Sequence, residues 1–406
     1  MQGPLHSDDA VTRVMHGQPA DFVPVALAYE GLGPLQYYRT ERNWQLWRKR
    51  LDEAKTDRLP VSYDLYLAQQ LQIEEEVLGG FYRRPAWAHL RRNLTPGEVS
   101  GSAVVRRGED LFWVSPQRDE SWIEPTLRGQ EARVGSRWAE LWDKGETGEL
   151  VERAAAVGAT PCVALPVVPD PASEQVSALA ESPAYHLARA LARRFPDQLP
   201  QYIAASTPYN NLPFILGFQA LMYAMTETPG KLHAILREQM PQPSVRLAAE
   251  RKLGVSLMHV EECLASADII SPRMYQEFAL QYDKPTLQLY EDMGFRTMLY
   301  FSGNLMPFLK YLKDLPFTAL CFEEDRKNYG IALAEVRRVI GPDKVLFGNL
   351  DALFIEKASD EEVLAEVKRQ VNIAGRHNFI LSLGSPLTPG TSLDRVRLVT
   401  ESTRRI

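Results

Sequence analysis

KVLFGNLD, from Lys344 to Asp351, and FILSLGSPLTP, from Phe379 to Pro389, frame one structural unit and decide the fold. Val345, Leu346 and Phe347 run together and break at Gly348, and a second apolar run, residues 379–383, breaks at Gly384. Apolar runs this short, bounded by Gly and Pro, read as buried strands. Between them Ser359 and Glu362 have the spacing of a capping box, Val363, Leu364, Val367 and Val371 recur at helical spacing, and Gly375 stops the helix. Strand, crossover helix, strand predicts a βαβ unit with parallel strands. Polar residues gather just past each strand, where folds of this kind keep their chemistry.

Working outward, the same alternation predicts strands at residues 22–28, 59–63, 201–206, 255–260, 296–301 and 318–322, with helical stretches between. Eight strand-helix repeats argue for closure into a (β/α)8 TIM barrel, the α/β class, with residues 1–21 as a helical lead-in. Pro285 interrupts the helix that Ser271-Pro272 starts, so two helices are expected before Gly294. Residues 1–406 read as a single barrel domain. Residues 83–194 form an insertion after the second strand-helix unit, with a β-hairpin that turns at Gly108. All seven tryptophans lie between Trp44 and Trp142. The plain reading is that they fill the insertion's core; the alternative is an aromatic wall or docking surface.

With 406 residues, 45% of them hydrophobic, the chain can bury a substantial core. A net charge of -6 disfavours nucleic acid as a partner. Cys162, Cys263 and Cys321 are too few and scattered for a disulfide framework, and no apolar run is long enough to span a membrane. A soluble, cytoplasmic protein is expected.

The strand ends supply the candidate site: Tyr29 and Glu30, Asp64, Tyr209 and Asn210, Glu261 and Glu262, Tyr300, Ser302 and Asn304, Glu323 and Glu324, Asn349 and Asp351, and Ser385. The set is acidic and hydroxylic, without Lys or Arg. Clustered, buried carboxylates shift one another's pKa and suit acid-base work. Capping of the next helix competes with that reading at Glu324, Asp325 and Asp351. Glu261-Glu262 is stronger, because adjacent acids at a strand end leave one facing inward. His259, inside its strand, reads as a hydrogen-bonded core histidine.

Gly348-Asn349-Leu350-Asp351, a helix, and then Gly384 through Pro389 resemble the ending of the uroporphyrinogen decarboxylase superfamily, which includes corrinoid- and zinc-dependent methyltransferases. Asp64 matches the place of the decarboxylases' catalytic aspartate. Their Arg-rich loop after the first strand is replaced here by Tyr29-Glu30-Gly31-Leu32-Gly33, and their late histidine by Ser385. The methyltransferases' His-x-Cys and final Cys correspond to Tyr300-x-Ser302 and Ser385, so no thiolate zinc site is expected; Glu261, Glu262 or Glu323 with His259 would make at most a weaker metal site.

The resemblance implies a methyltransferase that moves a methyl group from a small methylated substrate to cobalamin on a separate corrinoid protein, since the chain lacks the Asp-x-His-x-x-Gly corrinoid motif. Glu261, Glu262 or Glu323 would protonate the leaving heteroatom, with Tyr300 and Asn304 orienting the substrate. Tyr29, Glu30, Asp64, Tyr209, Asn210, Ser302, Asn349, Asp351 and Ser385 complete the expected substrate pocket. A decarboxylase or lyase acting on a tetrapyrrole or small acid is the first rival, and a non-catalytic accessory barrel the second. A homodimer is left open.

Overall fold

The computed structural model describes residues 9–27, 34–80, 88–125, 169–196 and 201–405. Its main sheet is parallel, in the order β2 (Ala88–His89), β6 (Gln201–Ser206), β7 (Leu257–Glu262), β8 (Arg296–Phe301), β9 (Ala319–Phe322), β10 (Val345–Phe347) and β11 (Phe379–Ile380). Val25 bridges in parallel to Leu381 beyond β11, so eight parallel segments lie side by side. The βαβ unit at the C-terminal end forms as expected: helix α4 (Asp360–Ala374) carries the Ser359–Glu362 capping box and ends at Gly375, φ +82°.

Alternation along each strand sorts the side chains into two faces. Tyr202, Leu257, Met298, Ala319, Val345 and Ile380 share one face with Val11, Val14 and Met15 of α1 (Ala10–Met15). His16, just past α1, meets Ser256 at the start of β7 at 2.9 Å, so α1 covers the N-terminal edge of the sheet and leaves the C-terminal edge, the rim, to the site. Met258, Val260, Leu299, Phe301, Leu320, Phe322 and Leu346 pack on the opposite face in a large core shared with the helices.

A second, antiparallel sheet has the order β1 (Arg58–Pro60), β3 (Ala103–Arg107), β4 (Asp110–Ser115) and β5 (Arg118–Ile123). The segment expected as the second strand of the parallel sheet, residues 59–63, thus supplies the edge of a different sheet, paired with Val104 and its neighbours. Pro60 offers no N–H to a ladder and tolerates only an edge. The parallel sheet takes its second strand instead from Ala88–His89, within the stretch read as an insertion. Between the small sheet and helices α2 (Pro34–Ala54) and α3 (Tyr63–Gly80) lies a separate core. Trp47, Leu51, Val104, Leu111 and Ile123 are buried there, with Trp44 and Trp113 against them. Trp122 is exposed, and Trp87, Trp138 and Trp142 lie outside the described residues. The two helices are tied by a buried ion pair, Arg39–Glu74 at 2.9 Å.

Pro285 does not end its helix. It sits inside Gln281–Asp292, and the turn before it, Tyr275–Leu280, widens to a π-helix. Pro285 removes one backbone donor without ending the helix, and the irregular winding falls in the turn just before Gln281.

Candidate active site

β7 runs two residues past its expected end, so Glu261 and Glu262 lie in the strand and point to opposite faces. Glu261 shares the face of Leu257 and His259. It is half-buried at the rim, and burial raises its pKa above the usual carboxylate range. Glu262 faces the helices and is fully buried. The Thr207 hydroxyl donates to it. Burial pushes Glu262 up to about 7 against the pull of Thr207 and of the Leu264 and Ala265 amides. Asp283, also fully buried, is pushed well up by burial and by Glu262, and accepts from the Tyr275 hydroxyl at 3.4 Å. Tyr209 joins this layer, donating to the Met225 sulfur at 3.8 Å. Glu262 and Tyr209, expected at the site, are therefore structural members of the helix layer.

Below and beside Glu261 a row of rings crosses four strands on the α1-covered face, ending at Tyr300, which pairs in register with Glu261. His89 of β2, Tyr202 of β6, His259 of β7 and Tyr300 of β8 have neighbouring centroids 5.4, 5.5 and 5.8 Å apart. Burial, with His89 nearby, lowers His259 to about 3, so it stays neutral. The Tyr300 hydroxyl donates to the Gly384 carbonyl at 2.9 Å and pins the loop after β11 to β8. Gly384 has to be glycine, since a Cβ there would collide with the backbone nitrogen and carboxylate of Glu324.

Above this floor, polar groups link successive strand ends. Asn210 donates to the Ser206 hydroxyl at 2.6 Å and accepts from the Cys263 amide at 2.9 Å, and Ser302 donates to the Cys263 carbonyl at 3.0 Å. Asn349 donates to the Glu323 carbonyl at 3.3 Å, and Ser385 to the buried Glu324 carboxylate at 3.0 Å. Glu323 pairs with Lys327 at 3.7 Å. The rim thus brings together Asn210, Glu261, Tyr300, Ser302, Glu323, Glu324, Asn349 and Ser385.

Other expected members go elsewhere. Asp64 is exposed in the first turn of α3, beyond the antiparallel sheet, because the segment before it belongs to that sheet. Asp351 caps Ala352–Lys357, accepting from the Leu353 and Phe354 amides at 2.7 and 3.2 Å. Asn304 accepts from the Met306 amide at 3.2 Å and shapes its own turn. Tyr29 and Glu30 lie outside the described residues. Among the described residues no three His, Cys, Asp or Glu side chains converge as a metal site, and no helix is long and apolar enough to cross a membrane.

Sequence reasoning missed the end of the true second strand, His89-Leu90-Arg91-Arg92. It brings two guanidinium groups to a rim expected to hold none. Its only signal was a short apolar patch before a basic pair, too brief to carry a period.

Residues 156–406 match the family model described as uroporphyrinogen decarboxylase (URO-D). Among curated proteins, the uroporphyrinogen decarboxylase of Francisella philomiragia is 24% identical over 190 residues, 46% of this chain and 53% of the relative. That of Myxococcus xanthus is 25% identical over 185 residues, 46% and 50% of the two chains. The chain spans about half the length of the curated relatives it matches. Among solved structures, a methyltransferase from Methanosarcina mazei superposes with a TM-score of 0.56 at 16% identity, covering 97% of both chains, and so shares the fold.

Proposed function

Because this chain belongs to the uroporphyrinogen decarboxylase (URO-D) family, we propose that it is a methyltransferase of that superfamily, with Glu261 as its proton donor. The observation that carries the reading is the position of Glu261, half-buried at the rim with a raised pKa, among hydrogen-bonded amide and hydroxyl groups. A carboxyl whose pKa burial raises gives up its proton from a neutral form and is suited to protonate a leaving heteroatom. As the heteroatom–methyl bond breaks, its electron pair stays on the heteroatom, which takes the proton from Glu261. A reduced corrinoid presented by a separate protein would take up the methyl group and supply the electron pair of the new bond. Glu261 is then reprotonated from solvent. From this chain the corrinoid needs only open approach to the rim, and the partial exposure of Glu261 is compatible with that. Tyr300 and Asn349 act as positioning residues, holding the loops after β9 and β11 around the substrate. We also infer that the eight parallel segments close into a barrel, with the Val25 segment and β2 as the two ends that meet.

The test is methylcobalamin formation from cob(I)alamin and a panel of methoxylated and N-methylated compounds, followed by absorbance. Glu261→Gln should lower turnover by about 10²–10⁴-fold with an unchanged thermal midpoint. No product across the panel, or full activity in Glu261→Gln, would overturn the assignment. Arg91 and Arg92 favour one second reading, decarboxylation of an acid substrate, because they supply positive charge at the rim. Release of carbon dioxide from uroporphyrinogen or a smaller acid would select it.

A further inference from the structure

β2 and β6 pair over only two residues, Ala88 with Gln201 and His89 with Tyr202, with one more bond from the Leu90 amide to the Tyr202 carbonyl. Beyond that point the strands part, and a cavity of about 560 Å³ opens between them and the helices alongside. His89 and Ala204, both exposed on the α1-covered face of the sheet, form its inner wall. Arg91, Arg92, Arg246 and Glu250 form its polar side.

The charges in this cavity are unevenly committed. Arg91 pairs with Glu74 at 3.0 Å, and Glu74 is already held by Arg39. Arg92 is exposed and lies over the Tyr185 ring at 5.7 Å, with no carboxylate in ion-pair range among the described residues. Glu250 is 2% exposed; one carboxylate oxygen accepts from the Tyr185 hydroxyl at 3.2 Å. The other has no hydrogen-bond partner among the described residues, and the nearest cation to it, Arg246, is 3.9 Å away. On the lining itself Arg91, Arg92 and Arg246 face Glu250 as the one carboxylate among the described residues, so positive charge is in excess.

A buried acceptor oxygen without a donor is costly, and guanidinium groups with open donor edges are suited to carboxylates. We propose that this cavity binds a small carboxylate that also carries an N–H or O–H group, with the anion on Arg92 and Arg246 and the donor on the open oxygen of Glu250. A cavity of this volume suits a ligand of metabolite size. Its inner wall runs toward the proton donor: Ser206 lies two residues beyond Ala204, roughly 7 Å along β6, and pairs in register with Glu261. The proposal deepens the functional reading by naming the substrate class of this side of the rim, but its test does not depend on turnover.

The full-length protein, without corrinoid, is titrated calorimetrically with L-malate and with succinate at fixed ionic strength. The two differ by one hydroxyl. Malate should bind about tenfold more tightly, as expected for a donor that reaches a buried carboxylate. Arg92→Gln, at an exposed position that the fold tolerates, should weaken both ligands about tenfold. Glu250→Gln should bring the two affinities together. Equal affinities in the wild-type protein, no binding of either acid in the millimolar range, or wild-type binding by Arg92→Gln would each overturn the proposal. If malate binds as expected while no methylated compound turns over, the cavity assignment stands and the methyl-transfer reading falls.

Discussion

Glu261 and Glu262 are neighbours in β7, and one bond of backbone separates a rim carboxyl from one sealed under the helices. The second has a measurable signature. Burial holds Glu262 up at about 7, against an ordinary value of 4.5. In the unfolded chain it ionises at the ordinary value, so the folded state binds the extra proton. Its stabilising effect is full below about pH 4.5 and is lost as pH rises through about 7. Asp283, raised by the same burial, acts in the same direction. Glu76, lowered to about 2 by Arg42, loses its contribution only in strong acid and leaves this window clear. The urea midpoint should therefore fall between about pH 5 and 8, and Glu262→Gln should make that fall shallower. An unchanged slope in the variant would mean that Glu262 is ionised in the fold. The sequence shows that two acids share a strand end. Which of them faces inward is set by what packs on each side of β7: the ring row and α1 lie along the face of Glu261, whereas Thr207, Tyr275 and Asp283 of the helix layer seal the face of Glu262.

Among the elements, those with local signals were legible and those without were not. Helix α4 announces itself through Ser359, Glu362 and its apolar stripe, all within one stretch of chain. Its cap is also a modest contributor: Ser359→Ala should cost about 1 kcal/mol in urea denaturation, the usual loss when a side-chain cap is removed. Trp47, which closes the separate core between α2 and the antiparallel sheet, should cost about 3–5 kcal/mol as Trp47→Ala by the same measurement. Equal losses at the two sites would show that the small core is poorly packed. β1 and β2 carry no such local signal. Residues 59–63 have strand-like composition and Ala88–His89 almost none, yet the parallel sheet recruits the latter. A two-residue strand is fixed by the partner that meets it, here β6, and no window of sequence contains that partner.

Across the whole molecule, stability should follow the length of the ladders. β7 and β8 pair over six residues in the middle of the parallel order, whereas β2 holds its place through two. In amide hydrogen exchange, Val260 and Leu299 should be among the slowest groups, and His89 and Leu90 should exchange much faster. Equal protection at both places would indicate further pairing that secures β2. This uneven closure also accounts for the cavity beside Arg92, since a longer β2 ladder would zip the gap shut. The sequence by itself determined the alternating α/β plan, the order of the later strands, the capped crossover helix and the acidic and hydroxylic character of the rim residues after Gln201. All of these rest on periodicity and turn chemistry, which act between residues close in the chain. Only the tertiary structure decided which segment serves as the second parallel strand, which face each acid takes, and that arginines join the rim. Those outcomes depend on pairing between segments about a hundred residues apart, where the energy of a contact leaves no mark on the local pattern.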